Sequence, residues 1–243
     1  MQGLVCAVWA VALVACGSGR RGPLRIAMTP WAGNEFLFLA EAKGFLAAEG
    51  VEVRLAESTS LDDVVRAFDR GEIDGLTGTL ADVLESRART PRAPRAFMAL
   101  GTSSSTDVIL ARVGVVTVGA AEMADDAPEE VFDVLALAAD VLERRPRDAA
   151  ALVRAWDRTL AFAAEKRTEA ADFMARHAEV TVEELEDALA GIRMLTSREQ
   201  RPLFAPDGPL VTAVEAMAAA MHDGGAAADC LAPEPLARAG GRG

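Results

Sequence analysis

Tyrosine is absent from this 243-residue chain, and lysine is almost absent, with only Lys43 and Lys166 beside abundant Arg, Ala and Gly. That skew reads as a coding bias and carries no functional signal. Positive charge is short overall: 25 Lys and Arg face 37 Asp and Glu, for a net charge of −12. A nucleic-acid binder would show a basic patch or stripe, so no nucleic-acid partner is expected. The three cysteines, Cys6, Cys16 and Cys230, offer no intramolecular disulfide to the mature chain, since Cys6 lies in a leader and Cys230 stands alone in a loose tail. The two histidines, His177 and His222, each end a helical pattern, where a cation is favoured, and read as surface residues. There is no Gly-rich phosphate loop, HExxH, CxxC or nucleophile elbow. No enzyme activity, cofactor or metal is therefore expected. What is present is apolar: 51% of residues are hydrophobic, enough for a sizeable core in one large or two small domains.

Residues 1–15 carry no charge and contain LVCAVWAVALVA, a run of a dozen residues. It is too short to span a bilayer and suits a signal-peptide core. It ends in Leu13-Val14-Ala15-Cys16 followed by Gly17-Ser18-Gly19, which resembles the bacterial lipobox. The resemblance implies a lipidated Cys16 as the mature first residue and a chain anchored at the cell envelope, facing the periplasm or exterior. A plain secretory signal is the alternative. Residues 16–23 are then a linker holding the domain off the membrane.

The stretch 24–85 reads strand, helix, strand, helix, strand, helix. LRIAM is a short apolar run, and VEVRLAES alternates with the two-residue period of a strand. Leu61, Val64, Val65 and Phe68 fall at i, i+3, i+4, i+7, one face of a helix. A third strand is expected over 73–77, with Thr79 opening the third helix. Such alternation predicts a parallel sheet with flanking helices. Its three strand-to-helix junctions are small and polar. Ser60-x-x-Asp63 and Thr79-x-x-Asp82 are capping boxes, and Asn34 is a candidate cap for the first helix. Ligands collect outside the carboxyl ends of parallel strands, where helix N-termini present free N–H groups. The junction residues Asn34, Ser58, Thr59, Ser60, Thr77 and Thr79 are therefore either caps alone or a binding edge. Gly78, between Thr77 and Thr79, permits close approach. Further along, 96–101 and 107–111 read as strands around a hydroxyl-rich turn that includes Ser103 and Ser104. That turn is a fourth candidate junction, or turn chemistry only.

AEAKGFLAAEGVEV (40–53) and AFDRGEIDG (67–75), in this order and spacing over about sixty residues, resemble the first lobe of ABC-transporter solute-binding proteins. The superfamily is that of nitrate, sulfonate and taurine binding, which also holds the thiamine-pyrimidine-precursor proteins. VFDVLALAADVL (131–142), Pro146 and Trp156 are similar to its return segment, a strand followed by a proline-led helix with a core Trp. The resemblance implies a periplasmic-binding-protein type 2-like lobe, a small-molecule solute (an anion or amphoteric compound), an ABC permease as partner, and no catalysis. It places ligand contacts in the loop that holds Trp31.

Family members have two α/β lobes with the ligand between them. Between the first lobe (24–111) and the return segment and C-terminal helices (131–222) only residues 112–130 remain. A βαβ unit needs about 30 residues, so a truncated second lobe is expected, with 113–119 as one strand. Residues 223–243, rich in Ala, Gly and Pro, read as a flexible tail. A one-walled cleft admits a second reading: an envelope interaction protein whose exposed edge docks a partner or a second copy of itself, as a homo-oligomer.

Overall fold

The computed structural model describes residues 22–103, 106–111, 114–119, 131–220 and 229–240. The leader with Cys16, Ser104 and His222 lie outside these residues. β1 (Leu24–Met28) is the hub of the opening unit, with Leu24, Ile26 and Met28 fully buried. From it the chain runs through a 3-10 turn (Ala32–Asn34), α1 (Glu35–Ala42) and α2 (Phe45–Ala48) to β2 (Val53–Glu57). β2 pairs parallel with β1 from Leu24↔Val53 to Met28↔Glu57. α3 (Leu61–Asp69) buries Val64, Val65 and Phe68, the face its spacing predicts, and delivers β3 (Gly75–Thr79) parallel to the other side of β1. The strand starts two residues later than expected because arginines hold what precedes it. Arg92 Nη1 donates to Ile73 O at 2.7 Å and Arg25 Nη2 to Asp74 Oδ1 at 2.8 Å.

α4 (Leu80–Arg89) leads to β4 (Pro94–Ser103), and a two-stranded hairpin of β5 (Thr106–Ala111) and β6 (Gly114–Gly119) follows. β7 (Val131–Ala138) then inserts between β3 and β4, antiparallel to both, and short β8 (Ile192–Met194) closes the far edge on β4. The order is β2-β1-β3-β7-β4-β8. The expected parallel sheet is thus parallel over β2, β1 and β3 and antiparallel beyond them. The reason is topological: β4 exits at the same end as β1 and β3, and the chain re-enters from that end, so β7 must run the other way. The return strand stops at Ala138, and α5 (Ala139–Arg144) occupies the rest of 131–142. Among the described residues the hairpin stands where a second α/β lobe was in question.

The helices α6 (Pro146–Glu165), α7 (Arg167–His177), α8 (Val182–Ala190), α9 (Ser197–Leu203) and α10 (Pro209–Ala220) follow. Pro146 starts α6 where a missing N–H costs nothing. Trp156 is core as expected: it is buried, its Nε1 donates to Leu195 O at 2.9 Å, and its ring meets Phe36 at 6.0 Å. Arg154 and Arg158 converge on Glu49 at 2.7 and 3.0 Å, tying α6 to the end of α2. The tail differs from expectation over 229–240. Cys230 is buried, its carbonyl accepts from Ala96 N at 2.7 Å, and α11 (Glu234–Ala239) packs on α6. Leu236 supplies the apolar anchor that its Ala- and Pro-rich surroundings hide. No helix among the described residues is long and apolar enough to cross a membrane.

Candidate functional site

The carboxyl ends of β1 and β3 open onto a cleft of about 320 Å³. The loop after β1 gives it Thr29, Pro30, Trp31 and Asn34; the loop after β2 gives Thr59 and Leu61. Thr77, Gly78, Thr79 and Asp82 come from the β3–α4 junction, and Leu100 and Asp133 from β4 and β7. Of the residues singled out from sequence, Trp31, Asn34, Thr59, Thr77 and Thr79 are brought together here.

Their local chemistry is uneven. Trp31 is extended, at φ −153° and ψ 136°, and precedes the 3-10 turn, so the helical backbone starts before Asn34. Asn34 therefore does not cap α1, contrary to expectation. Its Nδ2 donates to Thr29 O at 2.9 Å, while its Oδ1, on a residue only 2% exposed, has no hydrogen-bond partner. Trp31 is 8% exposed and its Nε1 donor is likewise unmatched. A Cβ at Gly33 would fall 2.1 Å from the Trp31 ring, so only glycine lets the indole lie where it does. Buried polar atoms of this kind cost about 1–3 kcal/mol each when left unpaired. One donor and one acceptor on the cleft wall thus await partners.

The serines turn away from this role. Ser58 Oγ accepts from Ser60 N at 3.3 Å, and Ser60 Oγ accepts from Asp63 N at 3.3 Å as the cap of α3. Neither lines the cleft. Ser103 is buried at the end of β4, also outside the lining. Thr79 caps α4 in a full capping box: its N–H and hydroxyl both donate to Asp82 Oδ2 at 2.8 Å, and Asp82 N donates back to its Oγ1 at 3.2 Å.

Two charged lining residues, Asp82 and Asp133, were not among the site residues expected from sequence. Asp82 carried only its capping role. Asp133 had a signal in view, the polar residue inside the apolar strand VFDVLALA, and its Cα pairs with Thr79 across β3 and β7. Beside the cleft, Glu35 is buried in the first turn of α1, with Oε2 2.8 Å from His177 Nδ1. Burial, then the nearby Glu57 charge, pushes the Glu35 carboxyl up to about 8. His177 also stacks on Phe38, with centroids 4.1 Å apart. It is exposed, the surface residue expected, and it reaches the buried acid because α7 lies against α1.

No family model matches the chain, and no curated protein matches it. Solved structures do. The ligand-binding component of an ABC-type import system from Staphylococcus aureus, with zinc bound, superposes at a TM-score of 0.66 and 14% identity, covering 90% of this chain and 99% of that one. A Candida albicans protein with the generic periplasmic binding protein fold gives 0.60 and 9%, over 90% and 94%. The alkanesulfonate-binding protein SsuA from Xanthomonas axonopodis pv. citri, bound to MOPS, gives 0.55 and 11%, over 89% and 97%. At such identities the likeness is one of fold. The chain has the periplasmic-binding-protein fold, and the import-system proteins among these neighbours are binding proteins.

Proposed function

We propose that this protein is the solute-binding component of an ABC import system, anchored at the cell envelope through lipidated Cys16. The observation that carries the reading is the cleft. Strand ends and helix starts meet there, as in ligand sites of open α/β sheets, and two of its lining residues, Trp31 and Asn34, each carry a buried polar atom without a partner. The fold supports the reading and does not by itself assign a function. On this reading the hairpin of β5 and β6 is the remnant of the second lobe, and β5 lies against the 3-10 turn that follows Trp31.

Calorimetric titration of the purified mature chain with a mixed panel of small anions, zwitterions, cations and pyrimidines tests the function. Saturable binding is expected, weakened about tenfold or more by Trp31→Ala through loss of a hydrogen bond and a stacking face. Absence of heat for every solute at millimolar concentration would remove the transport role.

A further inference from the structure

We infer that Trp31 is a gate: its indole is a movable wall of the cleft that lies folded on its own loop and swings out to admit a solute. The inference rests on the solute-binding reading above and concerns how the site opens. Trp31 stands in the loop after β1 and forms part of the lining, so the cleft of about 320 Å³ belongs to one position of its ring. The residue is 8% exposed although it lies between a strand and a 3-10 turn. The far edge of the ring, Cζ3 and Cη2, rests on Gly33, where a Cβ would come within 2.1 Å of both atoms. No hydrogen bond clasps it there, since Nε1 has no acceptor among the described residues.

Two effects of opposite sign act on this position. Burying an indole removes a large apolar area from water and holds the ring in. Against it, the folded loop leaves Nε1 of Trp31 without an acceptor and Oδ1 of Asn34 without a donor. A buried polar atom left unmatched costs its full desolvation, and two of them oppose the burial of the ring by an amount of the same order. A side chain balanced in this way has two populated positions, and a solute shifts it towards the one it fits. The backbone puts no obstacle in the way. Trp31 is extended, at φ −153° and ψ 136°, outside the 3-10 turn, so the ring can turn about its side-chain bonds while the turn and α1 stay in place. Gly33 carries the second mark of the device. Its φ is not in the left-handed region, so the turn itself has no need of glycine; the folded-in ring does.

The test is tryptophan fluorescence with acrylamide, a neutral quencher, as the probe of exposure. Beyond the leader that holds Trp9, the tryptophans of the chain are Trp31 and Trp156, so the difference between the mature chain and its Trp31→Phe variant isolates Trp31. A quenchable minority population is expected in the unmodified chain. Gly33→Ala, whose added Cβ displaces the ring, should shift the emission to longer wavelength and raise quenching several-fold. Nitrate, taurine, choline or cytosine, whichever binds by calorimetry, should change the Trp31 emission, and Gly33→Ala should bind that solute several-fold more tightly because the opening is already made. If Gly33→Ala fails to fold, the quenching of the unmodified chain with and without solute decides. Trp31 emission unaltered by Gly33→Ala, or a Trp31 that acrylamide never reaches, overturns the gate and leaves the solute-binding reading standing. So does a solute that binds without changing that emission. Silence of all four solutes beside a mobile ring also overturns the gate, and the function falls with it if the wider panel is silent.

Discussion

Glu35 concentrates the tension in this fold at a single residue. Its side chain is buried beside α7, its Oε2 lies 2.8 Å from His177 Nδ1, and burial holds its carboxyl protonated up to about pH 8. The unfolded chain has no such environment, so its Glu35 ionises near 4.5. Between these values the folded state binds more protons at this site than the unfolded state does. Stability from this residue is therefore fully present at low pH and falls as pH rises towards 8. The slope for one proton is at most about 1.4 kcal/mol per pH unit. Urea midpoints measured from pH 5 to 8 should decline, and Glu35→Gln, which keeps the shape without the proton, should flatten that part of the profile. An unaltered profile in the variant would place the pH dependence elsewhere.

At the level of elements, the register slips of β4 show how the core is closed. Between Ala99 and Gly101 the ladder with β7 shifts, and Gln200 enters from α9. Its Oε1 accepts from Ala99 N at 3.1 Å and its Nε2 donates to Leu195 O at 2.8 Å, with the residue fully buried. Gln200→Ala would leave the buried Ala99 N–H unmatched and open a small void, while Leu195 O keeps its bond from Trp156 Nε1. A loss of about 2–3 kcal/mol in urea unfolding is expected, whereas a loss below about 0.5 kcal/mol would mean that water replaces the amide. This contact also marks where sequence reading ran out. β1, α3, α4 and α6 were legible because a periodic apolar face or a cap is written locally, as in Leu61, Val64, Val65 and Phe68 or Thr79-x-x-Asp82. The short β8 and α9, and the docking of α11, depend on partners far away in the chain, as with Ile192 on Ser103, Gln200 on Ala99 and Cys230 on Ala96. In the site, Trp31, Thr77 and Thr79 were legible from their junctions. Asp133 was not, because only the insertion of β7 beside β3 brings it to Thr79.

For the whole molecule the decisive feature is the end of the sheet at which β1, β3 and β4 all finish. In a two-lobed binding protein a second α/β unit would rise from that end and close over the ligand by a hinge. Here the chain beyond β4 forms, among the described residues, the β5–β6 hairpin, before β7 returns into the middle of the sheet. If the hairpin is the remnant of a second lobe, as proposed above, its two strands bury too little surface to swing as a rigid body of their own. On that reading, solute binding should order side chains at Trp31 and Asn34 without moving one half of the molecule against another. A chain of this length packed as one body has a radius of gyration of about 18 Å. Small-angle scattering with and without a saturating solute should give the same radius and the same distance distribution. A contraction on binding would show instead that residues beyond β5 act as a closing lobe, and the one-walled account of the cleft would have to give way to a hinged one.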